Sequence, residues 1–185
     1  DDFLKLSYGQ TTIAFADPLS TLVPDRFFHP DEVATYLQGV GDIPPDCLVY
    51  NDHLPDLEMR NVFAVQQLEQ NWFSTHFPDA KICHINTGLI RAFAQINALR
   101  SGVNVYLNVH DRSVQVFLFQ QSKLIFSNDF QFTTAEDFIY FVLLVFEQHQ
   151  LKPESVPVQL AGHIIEDSAV YQLLYRYIRH LEIVP

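Results

Sequence analysis

A chain of 185 residues, 48% of them hydrophobic and 16 of them phenylalanine, has enough apolar surface to bury a core without disulfide staples. That excludes a disordered chain or a disulfide framework, and it suits one domain or two small lobes. The formal net charge is −11, and basic residues such as Lys5, Arg26, Arg60, Lys81, Arg91, Arg100 and Arg112 are scattered singly, so phosphate-rich partners, both nucleic acid and anionic membrane, are disfavoured on charge.

The first half opens with a hairpin signal: residues 3–8 and 11–16 flank Gly9-Gln10, a two-residue turn. Residues 19–23 add a short strand before Pro24. A helix is predicted from His29-Pro30, because proline at the first helical position loses no helical hydrogen bond. Asp31 and Glu32 suit its positive end, Val33, Tyr36 and Leu37 form its buried stripe, and Gly39 stops it. After Pro44-Pro45-Asp46 a strand covers residues 47–51. A helix is then predicted over residues 58–75, with Val62, Val65, Leu68 and Trp72 as its stripe. Residues 81–85 are the next strand. Asn86 or Thr87 caps a further helix that carries Leu89, Ile90, Phe93, Ala94 and Ile96 and closes at Gly102.

The second half alternates cleanly. Val103, Val105, Leu107 and Val109 share one face of a strand, and residues 114–119 form the next. Leu124, Phe126, Phe130 and Phe132 line one face of a long third strand. Thr133-Thr134-Ala135-Glu136 reads as a capping box, with Thr133 as the cap and Glu136 three residues on. The helix it opens is apolar all round through residues 138–146, so it needs a second cover besides the sheet. That nine-residue run is also the longest apolar stretch, far short of a bilayer span. Residues 156–161 are a strand with Pro157 near its start, Gly162 ends it, and Asp167 or Ser168 caps a last helix. From Val103 to Val184 the order is therefore β-β-β-α-β-α-β, that of one lobe of a ribonuclease H-like or actin-like fold.

Several stretches strengthen that reading: residues 124–130, then Thr134-Ala135-Glu136-Asp137-Phe138-Ile139-Tyr140, with Leu22-Val23-Pro24, residues 60–65 and Leu160-Ala161-Gly162-His163-Ile164. Together they resemble an uncharacterised bacterial family, a domain of unknown function with an actin-like ATPase fold, over nearly the whole chain. More distantly the chain is similar to actin-like assembly proteins such as PilM and FtsA. The resemblance implies an α/β fold of two lobes with mixed sheets: residues 1–101 as an incomplete first lobe, truncated at its N-terminus, and residues 102–185 as the second, its final strand cut. Family members extend further at both ends, in keeping with a chain that opens and closes inside strand-like runs.

In such proteins an Asp-x-Gly turn after a lobe's first strand, and a glycine pair after its fourth, bring backbone N–H groups against phosphate. Glycine is needed there because it lacks a Cβ. The matching turn here is Asn108-Val109-His110, and the glycine pair becomes Gly162-His163. None of the six glycines lies between Gly102 and Gly162. Asn108, His110, Asp111, Gly162 and His163 are thus the residues of a remnant nucleotide site, and ATP hydrolysis is expected to be lost.

Other constellations have ordinary readings. Asp111 and Arg112 are common turn residues. Asp111, Asp129, Glu136 and Asp137 would make a nuclease-like acid cluster, but helix capping accounts for Glu136 and Asp137, and Asn108 stands where the first strand needs an acid. Cys83 and His84 are adjacent on a strand and point to opposite faces, so they cannot share an ion. Cys47 and Cys83 are read as buried thiols of a reducing compartment. His110 and His163 follow strands at one end of the sheet, which allows them to approach each other, and their ordinary reading is two satisfied surface histidines. No residue is assigned a catalytic or metal-binding role, and no cofactor is expected. The expectation is a cytoplasmic, non-catalytic protein-interaction or scaffold module, more a pseudo-ATPase than an enzyme, with an unidentified protein partner. The alternative is a nucleotide-binding switch or weak ATPase using ATP and Mg²⁺.

Overall fold

A computed structural model of the protein describes residues 9–16 and 19–184. The described residues divide into two compact units, with the division between Ala92 and Phe93. The first arm of the expected N-terminal hairpin, residues 3–8, and the terminal Pro185 lie outside the described residues.

In the first unit, β1 (Thr12–Phe15) runs parallel to β5 (Lys81–His84). A separate antiparallel sheet has the order β2 (Ser20–Pro24), β4 (Met59–Gln66), β3 (Cys47–Leu54). Helix α1 (Val33–Gln38) follows a 3-10 turn at Pro30–Glu32, as the proline signal predicts, and its cap is Gly39. Helices α2 (Gln67–His76) and α3 (Ile85–Asn97) complete this part of the chain, the division between units falling inside α3.

The helix predicted over residues 58–75 is corrected to a strand followed by a helix. β4 is central and covered on both faces. Val62 and Ala64 pack with Val23 and Leu37 on one side, and Phe63 and Val65 with Phe15 on the other. A strand buried on both faces reads as an unbroken apolar run with no alternation. Val62 and Val65 also stand at helical spacing from Leu68 and Trp72, and that mimicked a helix stripe. Leu68 is in fact 80% exposed and Trp72 47% exposed. Helix α3 starts at Ile85, ahead of both expected caps. Its first turn is held instead by Asp52 of β3. The Asp52 carboxylate accepts from the His84 N–H at 2.7 Å and from the Thr87 hydroxyl at 2.6 Å, and Thr87 accepts from buried Asn61 at 3.1 Å.

The second unit is one five-stranded sheet of order β10 (Leu181–Ile183), β9 (Val158–Gly162), β6 (Val103–Val109), β7 (Ser113–Gln120), β8 (Lys123–Gln131). β6, β7 and β8 are an antiparallel meander, whereas β9 pairs parallel to β6 and β10 parallel to β9. The sheet is mixed, as expected. Helix α4 (Ala135–Gln148) links β8 to β9, and α5 (Ala169–Tyr177) links β9 to β10. Ser168 caps α5, its hydroxyl accepting from the Tyr171 N–H at 3.2 Å.

Alternation along the strands produces two packed faces. Val105, Leu107, Val109, Val114, Val116, Leu118, Val158 and Leu160 meet Phe138, Val142, Val145 and Phe146 of α4 and Leu174 of α5. The second cover that the apolar helix requires is therefore α5. Tyr106, Phe117 and Phe119 point to the opposite face, where Phe93 of α3 lies 4.8 Å from the Tyr106 ring and 5.4 Å from the Phe117 ring.

Two expectations shift by one residue. A bulge in β8 pairs Leu124 with Phe119 but Phe126 with Leu118, so Leu124 faces away from Phe126 and Phe130 rather than sharing their side. The capping box opens at Thr134 rather than Thr133. The Thr134 hydroxyl accepts from the Asp137 N–H, and the Asp137 carboxylate accepts from the Thr134 N–H at 3.0 Å and the Thr133 N–H at 3.1 Å. Cys47 and Cys83 are thiols, but half-buried rather than buried, and burial pushes the Cys83 thiol up. Among the described residues no helix is long and apolar enough to cross a membrane.

Candidate functional site

The C-terminal ends of β6 and β9 lie side by side, with Val109 opposite Gly162. The chain leaves β6 toward β7 on one side and returns through β9 on the other. The two connections thus leave the strand ends in opposite directions, at the end of the sheet where ligands usually bind in an open α/β fold. All five predicted residues collect there. Asn108 is the last residue but one of β6 and Gly162 ends β9, Asp111 lies in the turn after His110, and His163 follows Gly162.

Gly162 has φ +87, and a Cβ added to it would meet the Val109 carbonyl oxygen at 2.3 Å and Asn108 Oδ1 at 2.7 Å. It is a residue of close strand approach as well as of positive φ. The polypeptide around it is closed upon itself. The His163 N–H donates to the Val109 carbonyl at 2.7 Å, the His110 N–H to the Ser113 carbonyl at 2.8 Å, and the Ile164 N–H to the Gly162 carbonyl at 3.0 Å.

Side chains gather at these strand ends. The His110 and His163 rings are 6.1 Å apart at 73°, the approach that the strand order allows. His163 Nδ1 stands 3.3 Å from Asp111 Oδ1, both side chains largely in solvent. Asn108 Nδ2 donates to Gln115 Oε1 at 2.9 Å and lies 2.9 Å from His110 Nε2.

Gln115 and Asp129 belong to the same site and were missed. Asn108 is opposite Gln115, and Gln115 opposite Asp129, so three polar residues form a row across β6, β7 and β8 on one face. Partial burial pushes the Asp129 carboxyl up although its residue surface is open along the strand edge; nearby His110 and a hydrogen bond with Ser113 oppose that shift. Only half of that row follows from the turns. The tight connection after Val109 sets Asn108 opposite Gln115, whereas the turn after Gln120 alone would set Asn128 there, and the bulge near Leu118 is what brings Asp129 opposite Gln115.

The nuclease-like acid cluster does not assemble. The Asp137 carboxylate is committed to the cap of α4, whose N–H groups hold it below the usual carboxylate range. Among the described residues no three His, Cys, Asp or Glu side chains are grouped so that they would hold a metal ion. His84 is buried against the Phe63 ring at 5.1 Å, while Cys83 is half-buried.

A crystal structure of a Bacteroides thetaiotaomicron protein with an actin-like ATPase fold and unknown function matches this chain at a TM-score of 0.90 and 21% identity, over 100% of this chain and 72% of that one. The PilM–PilN type IV pilus biogenesis complex is similar at a TM-score of 0.53 and 14% identity, over 89% of this chain and 65% of its own. No curated protein matches. The fold is the actin-like ATPase fold. The model of a family described as a protein of unknown function, DUF3822, matches residues 1–181, and the chain belongs to that family.

Proposed function

We propose that this chain is a non-catalytic protein-interaction or scaffold module, in which the turns at the ends of β6 and β9 of an actin-like fold are closed to triphosphate by their own backbone bonds and side chains. The observation that supports this most directly is the closed backbone. A phosphate cradle needs N–H groups with no other acceptor, yet those of His110 and His163 are spent on Ser113 and Val109. The imidazoles of the same two residues stand over the strand ends. A neighbour solved as a complex of two proteins, PilM with PilN, supports a protein partner over a small-molecule substrate. Two half-buried thiols suit a reducing compartment, and we place the protein in the cytoplasm on that ground.

The second reading, a nucleotide-binding switch or weak ATPase using ATP and Mg²⁺, draws on the fold and on the retained Asn108 and Gly162. Thermal shift separates the two. Ligand at 100 times its dissociation constant stabilises by about 2.7 kcal/mol, which raises Tm by roughly 5–10 °C for a chain of this size. No change with ATP, ADP or GTP plus Mg²⁺ is expected. A rise of that magnitude, reversed by removing Mg²⁺, overturns the non-catalytic reading. If nucleotide binds, His110→Gly tightens it.

A further inference from the structure

The two edges of the second unit's sheet differ. β10 is three residues long, whereas β8 is nine, and among the described residues β7 is its sole hydrogen-bonded neighbour. The backbone direction along β8 is fixed by one bond. The Phe132 N–H donates to the Arg112 carbonyl at 2.9 Å, which makes Arg112 and Phe132 a directly bonded pair. Bonded and non-bonded pairs alternate in an antiparallel ladder. Phe130 and Asn128 therefore bond to β7, while the N–H and C=O groups of Ser127 and Asp129 point away from it, toward the open edge.

That edge is self-complementary. Residues 126–130 read Phe-Ser-Asn-Asp-Phe. A second β8 laid antiparallel about a two-fold axis at Asn128 sets Phe126 against the second copy's Phe130, and Phe130 against its Phe126. Ser127 falls opposite Asp129, and these are the residues whose backbone groups face outward, so both pairs exchange their N–H···O bonds. No like charges fall directly opposite one another; the two Asp129 carboxylates are diagonal. Cross-strand aromatic pairs of this kind are among the stabilising units of a sheet.

The helix above the edge continues the same surface. Phe141 of α4 stacks on Phe130 at 5.0 Å, and Tyr140 packs edge-on against Phe141 at 5.4 Å. Tyr140 is 60% exposed, and with half-buried Phe141 and Leu144 it forms a stripe outside the main core, along the side of the helix that bears Phe141 on β8. Symmetry that joins the strands also brings two such stripes together, as an isologous interface requires.

We propose that β8 pairs with β8 of a second copy of this chain, antiparallel about Asn128, joining two five-stranded sheets into one. The proposal is independent of the nucleotide question, since the residues of that site lie at the ends of β6 and β9. Sedimentation velocity of the full chain over a wide concentration range is expected to show a monomer–dimer equilibrium. Asn128→Lys sets two like charges across the axis and Ser127→Pro removes an outward N–H without touching the bonds to β7, so each is expected to abolish the dimer with circular dichroism unchanged. Asn128→Cys is expected to form a disulfide-linked dimer on oxidation, absent from the parent chain with its native Cys47 and Cys83. A chain that is monomeric at every concentration overturns the proposal, including the case in which a segment outside residues 9–184 occupies the edge. So does a dimer that survives both substitutions or fails to crosslink through position 128.

Discussion

Two glycines of positive φ differ in what surrounds them, and their substitutions separate strain from collision. Gly102 has φ +77 and open space about its missing Cβ, so Gly102→Ala should cost about 1–2 kcal/mol, the left-handed penalty alone. Gly162→Ala adds a clash with the Val109 backbone and should cost more than about 3 kcal/mol; chemical denaturation of the two variants measures the difference. Two acids on either side of the β8–α4 junction should respond to pH with opposite sign. Asp137 is held below its ordinary value by backbone N–H groups, so its contribution is present above about 3.9 and lost as pH falls through the lowered value. Asp137→Ala is therefore destabilising at neutral pH and without effect in strong acid. Asp129 is pushed up, so its penalty is absent below about 3.9 and develops as pH rises through the raised value. Asp129→Asn is expected to raise Tm at neutral pH and not in acid, and Tm series across pH for both variants check the pair of signs.

At the scale of elements, the pairing of β4 with both β2 and β3 decides what residues 59–66 are. Phe63 is fully buried, and Phe63→Ala should cost about 3–5 kcal/mol. Leu68→Ala, on the exposed face of α2, should change stability by less than about 0.5 kcal/mol. A helix over residues 58–75 with its stripe through Leu68 predicts a large loss at that position instead, so urea midpoints of the two variants discriminate the arrangements. Thr134→Ala should cost about 1 kcal/mol through loss of the N-cap, whereas Thr133→Ala should be near neutral, because Thr133 offers α4 only its N–H.

For the whole molecule, the charge of −11 and a pI near 4.9 place the solubility minimum in mild acid, and turbidity against pH should peak there. Much of the second unit is legible in the residues alone. Period-two alternation in residues 103–109, a cap before an apolar helix and a glycine closing a strand are local signals, carried by side chains a few residues apart. The gathering of Asn108, His110, Asp111, Gly162 and His163 is legible too, because strand order alone sends them to one end of the sheet. The identity of β4 is not, since burial on both faces erases the alternation that marks a strand. Nor is the Asn108–Gln115–Asp129 row, which depends on register, or the Asp52 carboxylate that holds α3 from a distant strand. The bulge in β8 is likewise a property of two strands, as it exists only relative to Leu118 and Phe119. Sequence by itself determined which segments bury apolar surface and where the backbone turns, because those follow from neighbours along the chain. Tertiary structure alone decided which backbone N–H groups are spent and which edge is left unpaired among the described residues, because a hydrogen bond between strands has no signature in either strand taken singly.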